Sequence, residues 1–210
     1  MKRINMSIKY IFFIIGFCLL IACSGYQNKA DKKIRRVISL APSITEIVYA
    51  LDQQSKLVAV TDYCNYPPQA KSMESVGGLL NPNLEKIISL KPDILIGTTA
   101  HSELAAKLAV WNLKTILLPN DSVNEIFMSV DSIGSILNCQ RKSLKLVEAI
   151  KDSIKQYKSQ IPVQYIKQPE AMLVLGREPG STRNIGVAGS HNYMDSLWTL
   201  MGGRNLFGDL

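Results

Sequence analysis

The 210-residue chain is poor in the residues that usually build chemistry. It has two histidines and four cysteines, and only 7% of it is aromatic. It contains no Gly-x-Ser-x-Gly elbow, no His-Glu-x-x-His pair, no Gly-x-x-x-x-Gly-Lys phosphate loop and no Gly-x-Gly-x-x-Gly dinucleotide turn. Ser190 and His191 are neighbours in sequence, but adjacency is not the nucleophile-to-base geometry that covalent catalysis needs. A bare metal ion generally wants three or four protein ligands in tight geometry, which two separated histidines do not supply. Aromatic and basic residues do not interleave as they do in nucleic-acid readers. The apolar run from Tyr10 to Ile21 falls short of the roughly 20 residues that span a bilayer. The sequence thus predicts no enzyme, no cofactor, no resident metal and no nucleic-acid partner.

The N-terminus carries a different signal. Lys2, Arg3 and Lys9 precede that apolar run, and Leu20-Ile21-Ala22-Cys23 closes it, giving a basic region, an apolar region and a small-residue cleavage site. The ending resembles a bacterial lipobox, which makes Cys23 the expected lipid anchor of an extracytoplasmic, membrane-tethered protein, in the periplasm or at the cell surface. Without residues 1–22 the 24 basic residues fall to 21 against 17 acidic ones, so the net charge drops from +7 to +4. Much of the remainder sits in Lys29, Lys32, Lys33, Arg35 and Arg36, where near-surface basic residues favour anionic lipid. Cys18 leaves with the signal, and Cys64 and Cys139 stay. A bridge between these two is open but not required.

The body alternates short apolar strands with amphipathic helices. Strands are expected at Arg36–Leu40, Leu57–Val60, Asp93–Gly97 and Thr115–Pro119. Ser43 and Glu46 read as a capping box, Asn81 as an N-cap before Pro82, and Ser122 with Glu125 as a second capping box. This order predicts an α/β fold with a parallel sheet covered by helices. From Gln140 to Ile161 there is no strand signal and no glycine, and Leu144, Val147, Ile150, Ile154 and Tyr157 recur on one side of a single long helix. Alternation then resumes with a strand at Ala171–Leu175, the loop Gly176–Ser181, a short strand at Ile185–Ala188 and a helix over Asn192–Met201. The expected organisation is a signal at 1–22, a polar tether at 23–34, an N-terminal α/β lobe at 35–139, a backbone helix at 140–162 and the start of a second α/β lobe at 163–210. The second lobe is short for a layer that must close around its own core.

Four segments carry a family resemblance: RVISLAPSITEIVYAL from Arg36, TDYCNYPPQA from Thr61, VGGLLNPNLEKIISLKPDILIG from Val76 and GGRNLF from Gly202. Together they resemble the cobalamin and iron-complex substrate-binding proteins of bacterial ABC importers, in which a rigid helical backbone joins two parallel-sheet lobes. The resemblance runs from about Arg35 to Leu210. It implies capture of a corrinoid between the lobes and delivery to a transmembrane permease; a ferric siderophore or haem is the alternative cargo, and a non-transporting ligand sensor the alternative role. Family members continue beyond the GGxN segment, so the second lobe is expected to be truncated.

Ligands of open α/β lobes sit beyond the carboxyl ends of the strands. That rule selects Pro42, Ser43, Tyr63, Tyr66, Thr98 and His101 in the first lobe and Arg177 in the second, with His191 before the last helix. Gly78 and Leu79 lie on the loop that enters the Asn-Pro-Asn-Leu-Glu stretch. By resemblance Tyr63 is a ligand-facing aromatic. Leu79 and Thr98 stand where the best-known cobalamin binders carry tryptophans, a departure that leaves the ligand open. Arg177 suits carboxylate or amide oxygens and reads equally as a solvated loop arginine, His101 reads as a solvated loop or capping residue before a ligand, and Glu85, by resemblance, is a permease-docking carboxylate on the lobe's outer tip.

Overall fold

A computed structural model describes residues 33–79, 81–161 and 168–210. The signal, Cys23 and most of the tether lie outside these residues. Ile34 to Leu210 hold together as one unit, and no helix among the described residues is long and apolar enough to cross a membrane.

The first sheet has four parallel strands, β1 (Val37–Ser39), β2 (Leu57–Ala59), β3 (Ile94–Thr98) and β4 (Thr115–Leu118), in the order β2-β1-β3-β4. Parallel sheets are buried on both faces, and the strand residues divide accordingly. Val37, Ile94 and Ile96 point to one face, where helices α1 (Pro42–Ala50) and α4 (Val123–Ile136) supply Ile44, Val48 and Ile133. Ile38 and Leu95 point to the other, where α2 (Leu84–Ser89) and α3 (Ser102–Ala109) supply Ile87, Leu104 and Leu108. Each such fully buried side chain contributes about 1.5–3 kcal/mol.

Two helix starts differ from the sequence expectation. Helix α1 begins at Pro42, with Ala41 at the N-cap and no side-chain cap, so Ser43 is not a capping residue. Proline at the first position presets the helical φ and lacks the N–H that a cap would satisfy. Helix α2 is capped by Asn83, whose side chain accepts from the Lys86 N–H at 3.0 Å, and not by Asn81. The Ser122–Glu125 capping box forms as expected.

Helix α5 (Gln140–Ser159) is unbroken and leaves the first lobe through a tight corner. Asn138 there has φ 55°, and the Cys139 N–H donates to the Gly134 carbonyl at 2.7 Å. Gly134 of α4 lies directly against Ser143 of α5, with no room for a β-carbon. Lys142 pairs with Asp52 at 3.2 Å and the Lys56 ammonium donates to the Leu137 carbonyl, which pins the first turn of α5 to the lobe. Beyond that turn Leu144 and Tyr157 are exposed.

The second lobe is built from pairs of strands: β5 (Glu170–Ala171) parallel to β8 (Arg204–Asn205), and β6 (Val174–Gly176) antiparallel to β7 (Gly186–Val187). The single strand expected over Ala171–Leu175 is therefore split in two. Helix α6 (Tyr193–Leu200) is capped by Asn192. Gly202 turns the chain with φ 90°, and Gly203 lies against the Trp198 ring where a β-carbon does not fit. Asn205 donates to the Ala188 carbonyl at 2.8 Å and to Asp195 at 2.9 Å, which explains the GGRN segment as a structural knot.

Gly134→Ala is expected to cost about 1–3 kcal/mol in urea unfolding, because it overpacks the α4–α5 contact. Adding Ser143→Gly should restore part of the loss, a coupling that marks the contact itself as the cause.

Candidate functional site

The strand order places a topological switch point between β1 and β3: the chain moves from β1 outward to β2, then returns across β1 to continue through β3 and β4. At such a point the loops leaving the two strands diverge and open a crevice at their carboxyl ends. A hollow of about 380 Å³ lies there, lined by Ser43, Glu46 and Ile47 of α1, Thr98 at the end of β3, Leu118 at the end of β4 with Pro119 and Asn120 after it, Ile126 and Ser129 of α4, and Tyr193 of α6. Its size is at the small end of the roughly 300–1,000 Å³ of small-molecule sites. Glu46 is its one charged lining residue, and Ser129 closes the floor by donating to the Pro119 carbonyl at 2.6 Å. Tyr193 brings the second lobe to the site, and the Val123 N–H donates to Ser196 Oγ at 3.2 Å beside it.

The loop after β2 presents Tyr63 and Tyr66, which are 63% and 61% exposed and do not line the hollow; Tyr66 lines a separate hollow with Tyr49, Ala50 and Asp52 at the far end of α1. The loop between them is fixed from below. Cys64 is buried, with Sγ 3.1 Å from Thr45 Oγ1 of α1 and 3.2 Å from Thr61 Oγ1. Thr45 also donates to Ser39 Oγ at 2.8 Å, and Ser39 to the Ala41 carbonyl at 3.0 Å. These polar groups, all buried, tie the end of β1, the start of α1 and the tyrosine loop into one piece.

The candidate residues from sequence therefore separate. Ser43 and Thr98 line the hollow, with Pro42 at the helix start before them; freed from a capping role, Ser43 faces the site. Gly78 and Leu79 are half-buried, and Leu79 packs on the core. Arg177 and His191 are exposed on the second lobe and do not line the hollow. Glu85 is exposed in the first turn of α2. His101 is a correction. It is 2% exposed, its ring stacked over Gly97, and its Nδ1 accepts the Thr98 N–H at 3.1 Å. A backbone N–H can only donate, so Nδ1 is the unprotonated nitrogen; Nε2 carries the proton and has no partner. The ring completes a capping box with Thr98 over residues 99–101 from inside, so the capping reading stands and the solvated-loop reading does not.

Cys64 and Cys139 are both free thiols, and burial pushes the Cys139 pKa above its ordinary value. Sequence reasoning missed Glu46, Asn120 and Tyr193. Glu46 had been assigned to a cap. Asn120 follows the end of β4, the one strand end of the sheet to which the carboxyl-end rule was not applied.

The family model described as periplasmic binding protein matches residues 37–210. The chain belongs to the periplasmic binding protein family. It is 30% identical over 192 residues to the uncharacterized ABC transporter substrate-binding lipoprotein YvrC of Bacillus subtilis, covering 89% of this chain and 60% of that protein. It is 33% identical over 181 residues to the vitamin B12-binding protein of Vibrio cholerae, covering 83% of this chain and 61% of the relative. Among solved structures, a possible iron-binding periplasmic solute-binding protein of Staphylococcus epidermidis superposes with a TM-score of 0.73 at 25% identity, covering 85% of this chain and 69% of that one. This chain thus spans about 60% of the length of the curated relatives it matches. Its family is one of binding proteins of transport systems, not of enzymes.

The Thr45 hydroxyl supports the tyrosine loop of this binding protein from beneath. Thr45→Val keeps the shape and removes that hydroxyl, so about 1–3 kcal/mol of stability should be lost in urea unfolding. Amide hydrogens at residues 61–66 should exchange faster than in the parent.

Proposed function

We infer that this chain is the substrate-binding component of an ABC importer and that it captures a corrinoid between its lobes for delivery to a permease. The observation that carries the reading is the hollow at the β1–β3 switch point, with Tyr193 of the second lobe at its edge; the exposed Tyr63 on the loop after β2 adds to it. An exposed ring with a polar tip suits a large flat macrocycle, giving it apolar area and a hydrogen bond at the periphery. The vitamin B12-binding relative favours a corrinoid. The iron-binding neighbour and the absence of tryptophan at Leu79 and Thr98 keep a ferric siderophore or haem as the second reading. The proposed ligand-contacting set is Pro42, Ser43, Tyr63, Tyr66, Gly78 and Thr98, joined by Glu46, Asn120 and Tyr193. Arg177 and His191 belong to the proposed set from the second lobe, although neither lines the hollow. The anchor at Cys23 is part of this reading; it fits the B. subtilis relative, which is named a lipoprotein.

Incubation with cyanocobalamin, haem or a ferric siderophore, followed by desalting and an absorbance spectrum, tests the cargo directly. The corrinoid spectrum is expected to elute with the protein; haem or siderophore absorbance in its place moves the assignment to iron, and no chromophore at all overturns capture. Tyr63→Ala should weaken the retained ligand about tenfold, equivalent to about 1.4 kcal/mol.

Glu85 projects from the lobe near the ligand loop, and on this reading it pairs with basic residues of the permease. The bland alternative is a contribution of about 0.3–1 kcal/mol to the helix dipole. Glu85→Arg is expected to leave ligand affinity unchanged while weakening permease binding, because it reverses a rim charge without touching the hollow. A drop in ligand affinity in titration would place Glu85 in the site instead.

A further inference from the structure

The pole of the first lobe opposite the hollow carries a surface that the binding function leaves unexplained. All four strands of the sheet start there and helices α2 and α3 end there. Helix α3 stops at Ala109 and the Trp111 N–H donates back to the Leu108 carbonyl at 3.0 Å. Asn112 then turns the chain with φ 55°, and Leu113 folds back onto the core beside Leu108. The turn leaves Val110 80% and Trp111 60% exposed at its tip. Nothing among the described residues covers them, and they lie far from the hollow.

Basic residues surround this tip. Arg35 and Arg36 lead into β1, Lys91 approaches β3 and Lys114 precedes β4, all exposed. The Arg36 guanidinium donates to the Leu90 and Lys91 carbonyls at 2.6 and 3.1 Å, so it closes the end of α2 and keeps its charge at the pole. The Lys114 carbonyl accepts the Leu95 N–H at 2.8 Å, which fixes β4 beside β3. Strands lie about 4.8 Å apart, so β1 and β4 are about 10 Å apart and these groups form one surface. The acidic groups nearest it are Asp93, which accepts the backbone N–H groups of Arg35 and Arg36, and Asp52, paired with Lys142. The opposite pole carries Asp62, Glu85, Asp121 and Glu125.

We propose that this pole is a docking surface for an anionic lipid bilayer, with Val110 and Trp111 inserted at the headgroup level and Arg35, Arg36, Lys91 and Lys114 against lipid phosphates. A tryptophan tip in a basic field matches the chemistry of a bilayer interface, where indole rings concentrate and near-surface cations are attracted. Ile34, where the unit that holds the sheet begins, leads directly into β1 at this pole. About ten residues separate Lys33 from Cys23, a reach of at most about 36 Å, so a chain anchored at Cys23 holds this pole close to the bilayer. In that orientation the hollow faces away from the membrane, open to arriving ligand, and the protein must turn over to present Glu85 to a permease. The proposal rests on the extracytoplasmic reading and is independent of which ligand is carried.

The test uses the mature chain from residue 23 with Cys23→Ser, so that neither the signal nor an attached lipid contributes, and vesicles of phosphatidylglycerol in phosphatidylcholine. Sedimentation should show binding to these vesicles, little to pure phosphatidylcholine, and a loss as salt rises from about 0.05 to about 0.5 M. Lys91→Glu with Lys114→Glu should weaken binding at least about tenfold. Brominated lipid should quench tryptophan emission in the parent and not in Trp111→Phe, which retains Trp198 as the internal reference. Failure to bind either vesicle, equal binding to both, or binding indifferent to the charge reversals overturns the proposal. Each of these results leaves the absorbance assay for ligand capture unaffected.

Discussion

The hydroxyl of Thr45 sits where three parts of the first lobe meet. It reaches Ser39 at the end of β1 and Cys64 in the loop that carries Tyr63 and Tyr66, and it belongs to the helix that lines the hollow. These groups lie out of water, and a buried hydroxyl without a partner costs about 1–3 kcal/mol. The partners therefore have one arrangement to adopt. Loops at strand ends are usually the mobile part of an α/β lobe; here the loop's middle residue is buried and bonded, so its flanking tyrosines face outward on a fixed base. The placement of this exposed loop thus depends on a polar contact in the buried core.

The two ends of the chain's described region contrast in how well they bury themselves. The first sheet has helices on both faces and two apolar layers of fully buried residues. Among the described residues the second lobe has two strand pairs and the single helix α6, and Met172, Val174, Leu175, Leu197 and Leu206 remain exposed. Tyr157, Ile161, Leu173, Leu197 and Trp198 line a wide groove of about 1090 Å³ between the end of α5 and α6. What holds this lobe is local: the Asn205 knot, the Gly203–Trp198 contact and the β5–β8 pair.

Much of the fold was legible because period and punctuation agree. Short apolar runs with intervening helical patterns gave the strands of the parallel sheet, and the Ser122–Glu125 box and the glycine-free stretch after Cys139 gave α4 and α5. The errors were local ones. Ser43 and Asn81 look like caps, yet Pro42 already serves the first helix start and Asn83 is better placed for the second. The site was half legible: strand ends point to Ser43, Thr98 and the tyrosine loop, but the same rule gives no sign that His101 turns inward. That inversion follows from Gly97, whose missing side chain leaves the space that the imidazole fills.

By itself the sequence determined the alternation of strands and helices, the family pattern of four ordered segments and the basic, apolar, Cys23-ended N-terminus, since each is written in neighbouring residues. The tertiary structure decided which of those residues share a surface. Strand order is a long-range choice, and it puts Ser43, Thr98 and Asn120 around one hollow although they are far apart along the chain, while the packing of α6 beside α4 adds Tyr193. It also gathers Arg35, Lys91, Trp111 and Lys114 at the opposite pole, because parallel strands start at one end of the sheet and finish at the other.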